Sequence, residues 1–389
     1  MPEAYIVAAA RTAGGKREGR LFGWHPVDLA ASALDEVVAR AGVPGEAVDD
    51  VVMGCVTQTG EQGLHIGRNA VLASNLPQSV PAVSIDRQCG SSQQSIHFAA
   101  QGVMSGVQDI VIAAGVESMS RASMGSSGRW SKTPEPGSAS SPGLAAKFPD
   151  PRFSQFPGAE MIAKKWGQSR ADLDAFALES HRRAVVATDA GAFDAEILAL
   201  DIEVDGQTER HIHDEGIRRD ATIESIGKVR TLVDGGCITA ANASQICDGS
   251  AAVMIASERA VKEYGLTPLA RIHELTVTAG DPVIMLEEPL FATDRALERA
   301  GMKIGDIDLY EVNEAFAPVP MAWLSHTGAD PERLNVNGGA IALGHPLGGS
   351  GAKLMTTLVH ALKARGLRYG LQTMCEGGGL ANVTIIEAL

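Results

Sequence analysis

Short apolar runs alternate with helix-like patterns along the first third of the chain. Residues 26–41 place their apolar side chains on one face of a helix, and Gly42 is positioned to end it. Runs that indicate β-strands occupy residues 5–10, 51–56, 83–86 and 109–115. This alternation predicts a layered α/β fold.

The same design returns near the C-terminus. Strand-like runs occupy residues 270–277, 308–312, 334–336 and 370–374. The order of strand, glycine turn, helix and strand extends from residue 83 to 115, and again from 334 to 375. An internal duplication explains this order and predicts a pseudo-twofold axis, with a site where the two halves meet. The candidate residues described below follow strands, where ligands bind in open α/β sheets.

The segment between the halves differs in composition. Residues 120–158 are rich in Ser, Gly and Pro, which predicts a loop that is either mobile or lines a substrate channel. A helix over residues 169–187 follows, and Ser169 and Asp172 form a capping box at its start.

Composition restricts the class of protein. The 389 residues exceed what one hydrophobic core usually organises, and 45% apolar with 21% charged residues is typical of a globular protein. The apolar runs stop well short of the roughly 20 residues that a membrane-spanning helix needs, so no membrane span is expected. A net charge of -14 argues against nucleic-acid binding, and an anionic ligand would need a local basic pocket.

The N-terminus and the cysteines predict a cytoplasmic protein. Residues 1–10 indicate a strand and lack the basic and apolar regions of a targeting peptide. Five cysteines without close pairs predict neither a disulfide scaffold nor structural zinc, and they suit a reducing cytosol. No metal site is expected. The cysteines are Cys55, Cys89, Cys237, Cys247 and Cys375.

Cys89 is the first candidate for chemistry. It lies directly after a predicted strand and at the start of an apolar helix. Unpaired amides and the macrodipole at a helix N-terminus stabilise a thiolate, which predicts a lowered pKa and a nucleophilic sulfur. The alternative is a small buried apolar residue.

His345 lies in a turn with six glycines between Asn337 and Gly351. So many glycines indicate a backbone that approaches a ligand closely or takes positive φ angles. Pro346 restricts the backbone of His345, which favours a functional histidine over a merely satisfied polar one. A phosphate loop is the alternative, but the Gly-Lys-Ser/Thr pattern is absent.

Two further strand ends carry polar groups. Cys375 opens onto three glycines that begin at Gly377, and amides exposed by such a turn can form an oxyanion hole. Asn313 and Glu314 follow another strand. The alternatives are a structural turn for the first and capping of the next helix for the second.

Together these segments resemble the thiolase family from end to end. The matching blocks are the segment around Cys89, the Asn-Glu-Ala-Phe block at 313–316, Gly-His-Pro at 344–346, Cys-x-Gly at 375–377 and the segment 242–249. The resemblance implies a duplicated five-layer αβαβα architecture with two mixed sheets. It further implies an N-terminal half (1–117, completed by 248–267), an inserted loop domain (118–247) and a C-terminal half (268–389).

The resemblance also implies a role for each catalytic residue. Cys89 would attack the 3-keto carbon of a 3-ketoacyl-CoA, and His345 would take its proton. Cys375 would act as acid and base towards acetyl-CoA and the incoming coenzyme A (CoA) thiol. One oxyanion site would form from His345 and a water held by Asn313, the other from the amides of Cys89 and Gly377. CoA would be a substrate, with no tightly bound cofactor.

The family's CoA contacts are carried over to five positions. Ser244 matches the pantetheine contact, while Arg218 and Ser225 match positions near the adenine and its phosphates. Ala315 and Phe316 of the Asn-Glu-Ala-Phe block complete the set. Arg219, Lys228 and Arg230 lie close to Arg218 in the sequence and give this acidic chain a local basic cluster.

Two departures from the best-known biosynthetic members favour a degradative 3-ketoacyl-CoA thiolase with bulkier acyl substrates. Residues 154–158 replace a histidine-methionine motif at the substrate pocket, and Glu376 stands where an aliphatic residue is common. An acetyl-CoA acetyltransferase acting on acetoacetyl-CoA is the alternative. A ketoacyl synthase would replace Cys375 with histidine, and a non-catalytic lipid-binding relative would not need the complete catalytic set. A homodimer or homotetramer is expected.

Overall fold

The computed structural model describes residues 2–128, 138–148, 153–204 and 206–389. The strands are β1 (Ala4–Thr12), β2 (Gly15–Lys16), β3 (Asp50–Gly54), β4 (Ala82–Ile85), β5 (Ile110–Ser118), β6 (Ile197–Leu198), β7 (Leu200–Val204), β8 (Gln207–His211), β9 (Cys247–Ser257), β10 (Ala270–Ala279), β11 (Leu309–Val312), β12 (Tyr369–Glu376) and β13 (Leu380–Ala388). The helices are α1 (Pro26–Ala41), α2 (Ile66–Ala73), α3 (Ser91–Met104), α4 (Pro142–Lys147), α5 (Gln155–Lys165), α6 (Arg170–Asp189), α7 (Ile223–Gly227), α8 (Glu258–Tyr264), α9 (Glu288–Ala300), α10 (Pro318–Thr327), α11 (Ala340–Leu343) and α12 (Ser350–Arg365).

The predicted helix 26–41 and strands match the structure closely, except at 334–336. Helix α1 ends at Gly42, whose φ of 69° is the left-handed cap conformation expected of glycine. The predicted strand 334–336 is wrong, because Leu334 and Val336 make only isolated bridges. Asn335 has a φ of 44°, and its side chain binds the backbone of Val312, so the segment leaves the extended conformation.

The strands of the two predicted sheets form one hydrogen-bonded path. Its order is β11-β12-β13-β10-β1-β9-β5-β3-β4, and β2 and β6 attach to its side. The halves join between β1 and β10, where only Tyr5–Arg271 and Ile6–Ala270 are paired. The two sheets of the expected architecture therefore meet at a narrow junction.

The topology confirms the duplication that the sequence predicts. In the first half β3 and β5 are parallel, and β9 and β1 continue antiparallel. In the second half β11 and β12 are parallel, and β13 and β10 continue antiparallel. Leu334 bridges β11 in parallel, in the place that β4 holds beside β3.

Three apolar clusters fill the spaces between the layers of helices and strands. One packs α1 and α2 on the outer face of the N-terminal strands, and another packs α9 and α10 on the C-terminal strands. The third places α3 and α12 between the two sets of strands. This succession of helices and strands is the expected αβαβα arrangement. The division of the chain at 117, 247 and 267 stays a prediction.

The middle segment contains helices where the sequence predicts one continuous loop. Helix α4 begins after the cap Ser141, and α5 begins at Gln155, so the loop prediction for 120–158 is wrong at these places. Residues 129–137 and 149–152, where mobility was also predicted, lie outside the described residues. The predicted capping box of Ser169 and Asp172 is confirmed at the start of α6. Within the described ranges, no helix is long and apolar enough to cross a membrane.

The central helices α3 and α12 touch through a glycine. A Cβ atom on Gly351 would lie 2.1 Å from the backbone nitrogen of Gln93 and 2.7 Å from its Cα. Because both atoms belong to the backbone, only glycine lets the helices approach this closely.

We predict that Gly351→Ala lowers the free energy of unfolding by about 1–3 kcal/mol, since the added methyl must push two buried helices apart. Urea denaturation at fixed protein concentration measures the change. Gly305→Ala is the matched control: its added Cβ meets nothing within 4 Å, so a change within about 0.5 kcal/mol is expected. Equal stability of the two variants would contradict the account of this contact.

Candidate active site

A cavity of about 650 Å³ leads from the surface to the ends of the central strands. Its wall includes Met119, Phe156 and Leu347, and His345 lies at its inner end. Lys16, Arg17 and Arg218 contribute cations to the same cavity. The lining thus combines an apolar wall with three cations and two carboxylates, those of Glu215 and Asp220. Of the basic cluster predicted around residue 218, only Arg218 belongs to this lining.

Cys89 is held in a tight turn before α3. Gln88 takes a φ of 49°, and the backbone amide of Ser91 donates to the carbonyl of Gln88 over 3.0 Å. The sulfur packs with Met119 and Leu347, two residues of the cavity wall, and Gln155 Nε2 lies 4.0 Å from it. Cys89 therefore lies behind the inner end of the cavity.

The predicted lowering of the Cys89 pKa is wrong for the free protein. Burial, and then the nearby Glu376 carboxyl, raise the pKa of the thiol to about 12. The side chain is only 2% exposed, and loss of solvent outweighs the favourable helix N-terminus. The resting protein therefore holds Cys89 as a thiol.

Cys375 lies beside Cys89 at the end of β12. It is fully buried, and burial raises its pKa well above the usual range, with further contributions from Cys89 and Glu376. Gly377 follows it, and a Cβ there would lie 2.8 Å from Gln88 Oε1. This close approach brings the Cys375 turn against the residue that precedes Cys89.

His345 is fixed by its neighbours in one orientation. Ser350 Oγ lies 2.5 Å from His345 Nδ1 and donates to the carbonyl of Pro346 over 2.8 Å. The hydroxyl has one hydrogen, so it accepts from Nδ1–H and leaves Nε2 with its lone pair. Burial, and then Lys353, lower the pKa of His345 to about 3, which keeps the imidazole neutral at neutral pH.

Lys353 also holds the backbone of the turn before His345. Its Nζ donates to the carbonyl of Leu343 over 2.5 Å and lies 3.4 Å from Asp214. Gly344 has a φ of 82°, and a Cβ there would come within 2.6 Å of Cys247 Sγ. Glycine is needed at this position for both reasons.

Asn313 completes the set at the inner end. Its Nδ2 lies 3.4 Å from His345 Nε2, and its buried Oδ1 has no protein partner among the described residues. The free oxygen suits a water or a substrate group beside Nε2. Glu314 does not cap the following helix: its carboxylate accepts from Ser180 and Asn335 side chains and from the Ile341 amide.

Several positioning residues carry no local signal in the sequence. Glu117, fully buried, accepts from the amides of Val56, Thr57 and Gly348 and so joins three segments around the cavity. Gln245 donates to the carbonyls of Gly216 and Ile341. Each contact links residues far apart in the sequence, so only the folded chain reveals it.

Four of the five predicted CoA contacts line the cavity: Ser244, Arg218, Ala315 and Phe316. The Ser244 amide donates to the carbonyl of Ala315 over 2.9 Å, which joins two of the predicted segments. Ser225 lies outside the lining, where it forms a capping box with Thr222 at the start of α7. Gln155 and Phe156 also line the cavity, and both belong to the segment 154–158 that the sequence assigned to the substrate pocket. Lys16 and Arg17 line the cavity but were not singled out by the sequence.

No group of three or more His, Cys, Asp or Glu side chains in the described ranges is arranged to hold a metal ion.

Two family models match nearly the whole chain. The one described as Thiolase, N-terminal domain, matches residues 4–259, and the one described as Thiolase, C-terminal domain, matches residues 266–388. The gap between the two matches, residues 260–265, covers most of α8 and lies just before β10, where the second half of the duplicated fold begins.

Similar proteins match over the full length. A steroid 3-ketoacyl-CoA thiolase of Mycobacterium tuberculosis is 50% identical over 392 residues, covering 100% of this chain and 95% of the relative. A 3-ketoacyl-CoA thiolase of Bacillus subtilis is 40% identical over 398 residues, covering both chains completely. The crystal structure of human mitochondrial 3-ketoacyl-CoA thiolase superposes with a TM-score of 0.90 at 36% identity, covering 100% of this chain and 99% of that one.

We predict that Ser350→Ala slows acylation of Cys89, because the imidazole loses the acceptor that keeps the proton on Nδ1. Leaving a buried donor unpaired costs about 1–3 kcal/mol, which corresponds to about 5- to 150-fold in rate if it is expressed in the transition state. Rapid quenching and mass spectrometry of the Cys89 peptide measure the rate. Ser32→Ala removes a similar helix hydroxyl remote from the cavity and should acylate at the wild-type rate. An unchanged rate in Ser350→Ala would reject the tautomer assignment.

Proposed function

The chain belongs to the thiolase family, and we propose that it is a degradative 3-ketoacyl-CoA thiolase. It would cleave a 3-ketoacyl-CoA with a second CoA, giving acetyl-CoA and a shortened acyl-CoA. The observation that carries this proposal is one cavity lined by His345, with Asn313 Nδ2 3.4 Å from the imidazole and Cys89 packed against the wall residues Met119 and Leu347. Cys375 lies near enough to Cys89 for the two thiols to interact electrostatically. The full-length similarity to named 3-ketoacyl-CoA thiolases supports it.

In the first half-reaction Cys89 Sγ attacks the 3-keto carbon, and its proton passes to His345 Nε2. The bond between C2 and C3 then breaks, and its electron pair goes to C2 of the departing acetyl-CoA. That carbanion takes a proton from Cys375, which leaves an acyl-Cys89 and a Cys375 thiolate.

In the second half-reaction the Cys375 thiolate takes the proton of the CoA thiol. The CoA sulfur attacks the acyl carbon, Cys89 Sγ leaves, and His345 returns the proton to it. Protons and electrons balance within the site, so the cycle needs no cofactor and no metal. CoA enters and leaves as a substrate.

Cys89 and His345 are both buried and neutral, and this determines how the first step begins. The Cys89 pKa of about 12 and the His345 pKa of about 3 make a free thiolate–imidazolium pair unfavourable. We infer that proton transfer is coupled to attack, when negative charge moves to the carbonyl oxygen. Two oxyanion sites would receive such charge: one from His345 with a water on Asn313, the other from the amides of Cys89 and Gly377.

The cavity supports a CoA thioester with a bulky acyl group. Arg218, Lys16 and Arg17 supply positive charge for the phosphates, and Ser244 lies where pantetheine would pass. Apolar side chains form much of the remaining wall, where Phe156 packs edge-on against Phe316. The similar protein of Mycobacterium tuberculosis is named a steroid 3-ketoacyl-CoA thiolase, which supports a bulky acyl substrate.

We also propose a homodimer or homotetramer in the cytoplasm. Strand β4 ends the sheet path, and exposed apolar side chains lie on it and on nearby elements: Leu64, Leu72, Val83 and Phe98. An apolar surface beside an unpaired strand favours association with a second copy. The five free cysteines suit a reducing compartment.

We predict that Cys375→Ser still acylates at Cys89 but hardly turns over. Acetyl-CoA as donor expels a thiolate and needs no protonated carbanion, so acetyl-Cys89 should accumulate. Thiolysis should fall by about 100- to 10,000-fold, the usual contribution of general acid-base catalysis. Mass spectrometry locates the acetyl group, and Cys89→Ser is the unlabelled control. Near-normal turnover of Cys375→Ser would reject the two-cysteine mechanism. If the wild-type protein, with all its candidate catalytic residues, transferred no acyl group, the non-catalytic lipid-binding alternative would be favoured.

We predict that thiolysis is faster with branched or polycyclic 3-ketoacyl-CoA esters than with acetoacetyl-CoA. The reason is that the apolar wall contacts a large acyl group and leaves a two-carbon remnant without contacts. Comparing kcat/KM across a panel of increasing length and branching measures the preference. A maximum at acetoacetyl-CoA would instead favour an acetyl-CoA acetyltransferase.

A further inference from the structure

Glu376 is a buried carboxyl group that the mechanism above does not use. It follows Cys375 at the end of β12 and is fully buried. Neither of its carboxyl oxygens makes a well-aligned hydrogen bond within the described part of the chain. A carboxylate in that position would be costly, so its protonation state has to be explained.

Gly90 makes room for this carboxyl directly beneath Cys89. A Cβ on Gly90 would lie 1.9 Å from Glu376 Oε1 and 2.5 Å from its carboxyl carbon. Any other residue between Cys89 and α3 would displace the glutamate. The carboxyl therefore fills a space that adjoins the nucleophile on one side and Cys375 on the other.

A second acceptor oxygen faces the same space. Asn382 Oδ1 lies 3.1 Å from the same Gly90 Cβ position and, among the described residues, has no hydrogen-bond partner. The other end of its amide is used: Asn382 Nδ2 donates to Gln94 Oε1 over 3.2 Å. An ionised Glu376 would place two acceptors together, whereas a protonated one can donate to Asn382 Oδ1.

The charged and titratable groups around Glu376 do not neutralise it. They are Arg87 before α3, whose buried Nε has no partner among the described residues, and the two cysteines. His97 on α3 lies one residue further away, with its Nδ1 3.5 Å from Asn382 Nδ2. Burial raises the pKa of Glu376 well above its ordinary value. Arg87 and the backbone N–H of Asn382 lower this pKa, but they offset the effect of burial only in part. Burial also lowers the pKa of His97 to about 3, so His97 supplies no positive charge.

We propose that Glu376 is a positioning residue held as a neutral carboxylic acid, and that its neutrality allows negative charge to develop on Cys89 during attack and on Cys375 as its thiolate. Ionised Glu376 would place negative charge beside both sulfurs, and that charge raises the pKa of each thiol. The Cys375 thiolate of the proposed cycle forms beside this residue, so the inference rests on the proposed function. The proposal explains why an ionisable side chain, Glu376, can be accommodated where an aliphatic residue is common in the family.

The test follows alkylation of Cys89 by iodoacetamide from pH 6 to pH 10, with peptide mass spectrometry to identify the site. Because this reaction needs only the thiolate, it is independent of any 3-ketoacyl substrate. Glu376→Gln keeps a neutral donor for Asn382 and cannot ionise. Its alkylation rate should equal that of wild type at pH 6 and exceed it by about tenfold at the top of the range, since one unit of thiol pKa is about a tenfold change in thiolate.

Glu311→Gln is the matched control, because Glu311 is also buried with a raised pKa but is influenced by Glu314 and Glu196, not by the cysteines. It should follow the wild-type curve. Glu376→Ala gives a second uncharged variant if the glutamine does not fold. An alkylation rate of both Glu376 variants that already exceeds wild type at pH 6 would overturn the proposal, since Glu376 would then be ionised in the resting protein.

Infrared spectroscopy supplies a direct reading of the proton. The difference spectrum of wild type minus Glu376→Gln at pH 7 should contain the C=O stretch of a protonated carboxyl, and alkylation of Cys89 should shift it. A carboxylate band in its place would overturn the proposal even if the protein cleaved 3-ketoacyl-CoA. Conversely, a protonated Glu376 in a chain without thiolase activity would leave the inference on the proton intact and reject only the proposed function.

Discussion

Burial of the reacting groups is the constraint on which the rest of the site depends. Cys89, Cys375, His345 and Glu376 are all nearly or fully enclosed, and in each case loss of solvent is the largest influence on the pKa. Burial favours the neutral form of an acid and of a base alike. The resting site is therefore uncharged at its centre, and charge appears only where amides and a polarised imidazole are already oriented to receive it.

The two halves of the duplication supply different parts of this centre. Cys89 precedes α3 in the first half, whereas Asn313, His345 and Cys375 belong to the second. The sheet joins the halves through only two residue pairs, so the packing of α3 against α12 sets the distance between the groups. Glycines at the crossing, such as Gly351 beside Gln93, are what permit that distance.

Much of the fold and of the catalytic set could be predicted from the sequence, because both have local signatures. Apolar periodicity predicted α1 and most strands. Glycine-rich segments marked Cys89 after β4, Cys375 near the end of β12 and His345, which follows helix α11 and not a strand. The failures have a common physical cause. The direction of the Cys89 pKa, the contacts of Glu117 and the irregular 334–336 segment depend on groups brought together only by folding. The CoA contact of Ser225 stays a prediction, and the capping box that Ser225 forms with Thr222 is a local interaction that needs no ligand.

The short connection from Gly265 to Leu269, between α8 and β10, divides the catalytic set between two lengths of chain. The stretch before it carries Cys89, the proposed nucleophile, and the stretch after it carries the proposed partners His345, Cys375 and Asn313. Neither length alone contains a complete reaction centre. Thiolytic turnover in this protein therefore depends on assembly: it requires that the two halves of the chain pack together in the correct orientation.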